Sequence, residues 1–135
     1  MGTQLVNVRL CDPAMRVSSE VFSEFEWADA KAVLTVYVTN IHGATPTITP
    51  YLQSYDPVSG LWLTIFTAAA AQSPSVAGTR YNYVLTDTAF LPAGFTEAKQ
   101  VYLMPTMRLG MTHGDSDAIT YSATMLRVNS NNLGI

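Results

Sequence analysis

The chain has a single cysteine, Cys11, in 135 residues. No intrachain disulfide can form, which points to assembly in a reducing compartment rather than to a secreted, stapled scaffold. Charge is scarce as well: 13% of the residues are charged, against about a quarter in an ordinary soluble domain. The seven Lys and Arg residues are scattered, and the net charge is −3. A nucleic-acid binder needs a basic footprint to offset phosphate, so no nucleic-acid partner is expected. No apolar run reaches the roughly 18 residues of a membrane span, and the first residues, MGTQLVNVRLCD, lack the charged and apolar blocks of a leader. Neither a membrane nor an export signal is therefore expected. The eight glycines stand singly, so no phosphate-cradling loop is written here. Periodicity of 3.6 is nearly absent, which argues against helices.

What the chain does have is alternation. Hydrophobic residues make up 48% of it, and Thr, Ser, Asn and Gln stand where charge would normally be. Low net repulsion permits self-association and suits a protein that lives in an assembly. The length fits one domain, large enough to bury a core without staples.

Period two predicts a first strand over 4–10, with Val6, Val8 and Leu10 on one face, broken by Cys11-Asp12-Pro13. Residues 17–27, rich in aromatics, read as an extended arm or a short helix. The clearest strand is 32–40, with Leu34, Val36 and Val38 opposite Thr35, Tyr37 and Thr39. A return strand over 45–55 contains Pro46 and Pro50, so it is expected at an edge or with a bulge. Asp-Pro-Val-Ser-Gly at 56–60 is a turn. Further strands are expected at 61–67, 79–86, 100–109 and 117–128, with connections at 68–78 and 87–99 and a polar tail at 129–135. Pro105 again suggests an edge or a bulge. The expected fold is all-β, a single β-sandwich or jelly roll of about 7–8 antiparallel strands with an N-terminal arm. The expected organisation is strand and arm over 1–31, sandwich core over 32–128, and tail over 129–135. A faint echo aligns TNIHGATPTIT (39–49) with GMTHGDSDAIT (110–120), sharing His-Gly and Ile-Thr, as if two corresponding hairpins formed a pseudo-symmetric sandwich.

Few residues invite chemistry. His42 and His113 are the available bases, each in a glycine-containing turn, and no G-x-S-x-G elbow supplies a nucleophile. Cys11 reads as a small buried apolar residue. No C-x-x-C or H-x-x-x-H pair offers a zinc site. Asp115 and Asp117 flank Ser116, which is too few oxygens for calcium. Glu20, Glu24 and Glu26 read as the solvated face of the aromatic arm. No catalytic, cofactor or metal site is expected, nor a small-molecule substrate. The aromatics remain. Phe22, Phe25, Trp27, Trp62, Tyr81 and Tyr83 are the candidate interface residues, because Tyr and Trp anchor interfaces. Core packing competes for Trp27, Trp62, Tyr37, Tyr51, Tyr55, Tyr81, Tyr83, Tyr102 and Tyr121. The methionines, four of them within 104–125, would fill core gaps or a subunit contact.

The segment AVLTVYVTNIHGATPTITPYLQSYDPVSGLWLTI (32–65) resembles a pattern common among small phage virion structural proteins. Its elements are an alternating strand, a glycine turn ending in Thr-Pro, a strand ending in Leu-Gln, a DP-x-SG turn and W-x-x-I. The ending RLGMTHGDSDAITYSATMLRV (108–128) resembles the closing hairpin of the same pattern. The resemblance implies a β-sandwich or jelly-roll virion component, most like a capsid decoration (cement) protein, which often sits as a trimer between capsomers. It implies no catalytic residues. The expected partner is the major capsid protein, the expected state a homotrimer, and the expected place the capsid exterior after assembly in the host cytoplasm. Neck, tail or baseplate components share the fold. A carbohydrate- or receptor-binding sandwich is a third reading, and would need coplanar exposed aromatics, with Trp62 and neighbouring Tyr as first suspects. Exposed apolar groups of the arm would mark the adhesive element. Trp27→Ala is then expected to weaken assembly more than it lowers the melting temperature.

Overall fold

A computed structural model describes residues 7–44, 46–86, 90–114 and 116–127. Ten strands follow one another: β1 (Val8–Arg16), β2 (Glu20–Val21), β3 (Phe25–Glu26), β4 (Ala32–Ile41), β5 (Ile48–Asp56), β6 (Leu61–Thr67), β7 (Thr79–Thr86), β8 (Glu97–Gln100), β9 (Thr106–His113) and β10 (Ile119–Leu126). They form two sheets. One has the order β1-β10-β4-β7-β8; the other is β2-β9-β5-β6, with β3 also on β9.

This order has a simple physical reading. The first half of the chain pairs with the second half as a nested hairpin: β1 with β10, β2 and β3 with β9, β4 with β7, and β5 with β6. The long hairpin then rolls up, so that β10 meets β4 and β9 meets β5. That wrapping is a jelly roll, and it removes all but four sheet edges. The fold is the expected all-β sandwich, with eight antiparallel strand positions and one strand more. The addition is β8, parallel to β7. It falls in a stretch with turn chemistry, LPAG, where only a connection was expected.

Alternation builds the core. Leu34, Val36 and Val38 of β4 are fully buried, as are Tyr121 and Met125 of β10. Facing them are Ile48 and Leu52 of β5, Phe66 of β6, and Met107, Leu109 and Met111 of β9. The Phe66 and Tyr83 rings meet edge-on, with centroids 5.8 Å apart, and tie β6 to β7 across the sandwich.

Several expectations are corrected. Cys11-Asp12-Pro13 does not end the first strand. β1 runs on to Arg16 and absorbs the proline through register shifts after Arg9 and after Cys11. Residues 4–6 of that expected strand, and the tail 129–135, lie outside the described residues. The strand containing Pro50 is interior, between β9 and β6. Ile48 exchanges both backbone bonds with Gln72, on the side away from β9. Pro50, two residues on, faces the same side, and its carbonyl accepts the Ala68 N–H at 3.0 Å. The missing donor therefore falls where β6 has already ended, and the ladder to β9 is untouched. The bulge on this hairpin lies between Leu52 and Gln53. Pro105 precedes β9, and 101–105 cross between the sheets rather than continuing a strand. The arm is no arm: β1 joins one sheet, while β2 and β3 pair with β9 in the other.

The echo at 39–49 and 110–120 marks two arches, not two hairpins. Each carries the chain from one sheet to the other, and the two lie side by side. The His42 amide donates to the Ala118 carbonyl (2.9 Å), and the Gly114 amide to that of Thr47 (3.0 Å). A side chain on Gly43 would collide with Asp117, and one on Gly114 with the Thr47 hydroxyl. The shared His-Gly thus has a shared cause, since each glycine lets the other arch approach. The two-fold relation is inexact: Ile41 pairs with Ile119, whereas Ile48 pairs with His113 and not with Thr112.

Two outcomes are expected. Gly114→Ala lowers stability by about 1–3 kcal/mol through overpacking, and adding Thr47→Ala restores most of it; chemical denaturation of the four proteins of this cycle reads the coupling. Burial pushes the Tyr83 and Tyr121 hydroxyls far above the ordinary tyrosine range. Their folded pKa values are raised, so the linked stability is intact below about pH 10 and falls as pH rises beyond it. In an ultraviolet titration these two ionise only as the chain unfolds.

Candidate functional site

The structure separates the six candidate aromatics. Phe25 and Trp27 are 8% and 7% exposed and belong to the core. Their strand is bound in place: the Trp27 amide donates to the Pro105 carbonyl at 2.8 Å, and the Thr106 hydroxyl donates to Glu26. Phe22 packs against the core with the Arg16 guanidinium 5.0 Å from its ring centre. Tyr83 is fully buried and Tyr81 lies half-buried against the same core. The aromatic groups of 17–27 are thus inward, with Phe25 and Trp27 two residues apart on the side that meets the sandwich interior, whereas Val17 and Val21 are exposed.

Trp62 is placed differently. Leu52 and Phe66 point inward as partners. The bulge then shifts β6 by one residue, so Trp62 pairs with Tyr55 on the outer face. The two rings lie 5.2 Å apart and are tilted by 53°. From β9, Arg108 lies between the inward Met107 and Leu109 and so emerges on that outer face too. Its guanidinium sits 4.2 Å from the Trp62 ring centre. Arg108 donates to Gln53 at 2.8 Å, and Gln53 donates to Thr64 at 3.2 Å. Tyr51 completes the face by lying over Gly110, where any side chain would meet its ring. The result is a rigid row of aromatic, amide and guanidinium groups across β6, β5 and β9.

Around the edge of this row lies apolar surface. Leu61 and Leu63 are 60% and 51% exposed, and Val58 in the preceding turn is 95% exposed. Leu63 lines a cleft of about 520 Å³ with Met104, Pro105, Pro57 and Tyr55. Met104 and Tyr102, on the crossing between β8 and β9, are exposed as well. Asp56 shapes the turn, accepting from the Val58 amide and the Ser59 hydroxyl at 3.0 and 2.7 Å. The Ser59 hydroxyl bond, with the backbone amides, holds its carboxyl below the usual range. A second, slightly larger hollow of about 640 Å³ lies beside Trp27 and Leu103.

The chemistry available here is that of contact. Exposed Leu, Val, Met and Tyr beside a stacked Trp–Arg pair, with little charge, is the composition of an interface core. It is not a flat sugar platform, since Tyr55 and Trp62 are tilted and Arg108 covers a Trp face. The groups considered for catalysis do not converge. His113 Nε2 and the Tyr121 hydroxyl lie 2.8 Å apart and share a hydrogen bond, while the His113 amide bonds Ser19. Asp115 lies outside the described residues. Glu20 pairs with Arg16 at 3.6 Å, away from Glu26. Cys11 is buried, and burial raises its thiol pKa, which makes it unreactive. Among the described residues no group of three or more His, Cys, Asp or Glu could hold a metal ion.

Sequence reasoning missed Val58, Leu61, Leu63 and Met104. The available signal was LWLTIFT itself. It is apolar at both parities, which period two cannot assign to one buried face.

No protein-family model matches the chain, and no curated protein matches it. Among solved structures, the chain is similar to a chain of the T13 IBDV viral particle, whose crystal structure is described as revealing a missing link in the evolution of icosahedral viruses. The TM-score is 0.50 and the identity 12%. The likeness covers 96% of this chain and 32% of that one, so this chain spans about a third of its length. What the two share is the fold.

The two tryptophans give a direct check. Iodide should quench Trp62 and leave Trp27 untouched. Trp27→Ala should lower stability by about 3–5 kcal/mol as a core truncation. Trp62→Ala should cost about 1–2 kcal/mol, from the lost Tyr55 and Arg108 contacts.

Proposed function

We propose that this chain is a non-catalytic virion structural protein, and more finely a decoration protein that binds the major capsid protein on the outside of the head. The observation that carries the reading is the wrapping of its strands. Over 96% of its length this fold is similar to about a third of a chain of an icosahedral viral particle. A two-sheet sandwich whose described residues bring no acid–base groups together is suited to bearing load. A low-charge surface with one apolar–aromatic face is suited to lying against a shell. Adding such a contact stabilises the assembled state by mass action, because the protein binds the shell and not its separated subunits.

The adhesive element in this reading is the β6 edge, with Leu63 and Met104 on one side and Tyr55 and Trp62 on the other, rather than 17–27. The purified chain should co-sediment with capsids that lack it, saturating at a fixed number of copies per capsomer. Met104→Glu should abolish that binding while the folding stability stays within about 1 kcal/mol of the parent, since Met104 is exposed. Absence of saturable binding to capsids would overturn the decoration role and direct the search to neck and tail parts.

A further inference from the structure

The four sheet edges of this sandwich are not alike. β1 carries Arg9, Asp12, Arg16, Pro13 and two register shifts. β2 is two residues long. β8 is four residues long and carries Glu97 and Lys99. Charge, proline, bulges and brevity are how natural proteins stop edges from pairing with other chains. β6, LWLTIFT, is seven residues long with no charge and no proline, and among the described residues no strand but β5 pairs with it. Its one irregularity is the bulge at Ile65, which leaves Leu61–Thr64 as regular ladder.

The direction of the free backbone groups follows from the ladder. In β5 the even-numbered residues turn their N–H and C=O toward β6, as the bonds of Ile48 to Gln72 and of Pro50 to Ala68 show. Ser54 therefore exchanges bonds with its partner Leu63. Alternation turns the N–H and C=O of Trp62 and Thr64 outward, to the open edge. The side chains on either side of that edge are the exposed Leu61 and Leu63 on one face and Trp62 on the other.

We infer that β6 pairs antiparallel with β6 of a second copy, about a two-fold axis at Trp62. In this register Trp62 exchanges both backbone bonds with its own counterpart, and Leu61 lies opposite the second copy's Leu63. The two sheets become one continuous sheet across the axis. Charge selects this occupant. A neutral strand brought against itself meets no like charge in this register and leaves no charge buried without a partner. A net charge of −3 adds little long-range repulsion. The closed two-fold contact buries the exposed leucines, Val58 and the Trp62 edge at its centre, where aromatic anchors contribute most. This two-fold state stands in place of the homotrimer that the resemblance implies, and it does not rest on the capsid reading.

The test needs no capsid. Sedimentation equilibrium of the whole chain between roughly 1 µM and 1 mM should show a reversible monomer–dimer equilibrium, with Trp62 emission shifting to the blue as dimer forms. Leu63→Lys should weaken the dimer by about tenfold or more, with an unchanged melting transition at dilutions where the parent is monomeric. Leu61→Lys should do the same, and keeps the test alive if the first variant does not fold. A parent chain that stays monomeric across the range, or forms a trimer, overturns the inference. So does a dimer that both lysine variants leave intact. A monomer whose capsid binding is lost in Leu63→Lys would assign the edge to a strand of the shell and equally overturn the second-copy pairing. A dimer with no capsid binding would uphold it while removing the decoration role.

Discussion

The two arches that carry the chain between its sheets, one from β4 to β5 and one from β9 to β10, set the geometry of everything else. They lie in direct backbone contact, through His42 with Ala118 and Gly114 with Thr47. This contact needs room, and Gly43 and Gly114 provide it by having no side chain to collide with Asp117 and Thr47. Because the arches continue into the two central strand pairs, β10 on β4 and β9 on β5, their approach fixes both sheet registers and the separation of the sheets. His113, at the arch end of β9, reaches across to the Tyr121 hydroxyl on β10, and Arg16 stacks on the same tyrosine ring at 4.7 Å. A small set of polar contacts thus pins one end of an otherwise apolar sandwich.

The other side of the molecule is built on the opposite principle. There the bulge at Ile65 shifts β6 by one residue relative to β5, so side chains that would have entered the core emerge on the surface. It is Trp62 and Thr64 that are turned out; Leu61 and Leu63, paired with Asp56 and Ser54 on the other face, lie exposed at the sheet edge. The gain is a flat, uncharged edge next to a stiff Trp62–Arg108–Gln53–Thr64 row. A monomer built only for solubility would place a lysine here, as it does at β8. The combination of three guarded edges and one open edge is what both proposals, contact with a shell and pairing between copies, build on.

Much of the fold was legible because half-buried strands carry their faces in the sequence. Residues 61–67 and 79–86 are strands with the expected bounds, and β4 has Leu34, Val36 and Val38 inward as period two requires. The turn at 56–60 was legible from Asp56 and Gly60. Less legible were Pro13 and Pro50, which read as strand breakers or edge markers. Whether a proline harms a ladder depends on which side its missing N–H faces, and that is decided by neighbours distant in sequence. β8 was hidden for a related reason, since a parallel partner is recruited by a crossover and not by a turn. Of the candidate interface, Trp62 was placed on the surface, whereas Phe25, Trp27 and Tyr83 went into the core. Composition cannot distinguish an aromatic that anchors an interface from one that fills an interior.

The sequence by itself determined the class of structure: alternating apolar residues, no helical period, one cysteine and little charge leave a single β-sandwich as the way to bury the chain. It also determined where basic, metal-binding or nucleophilic clusters could not arise in sequence. Tertiary structure alone decided the wrapping order, the burial of Phe25 and Trp27 and the openness of β6. The reason is that local alternation sets which residues share a face, but the partner of that face is chosen by long-range strand pairing. A one-residue bulge, invisible in composition, then turns an inward side chain outward.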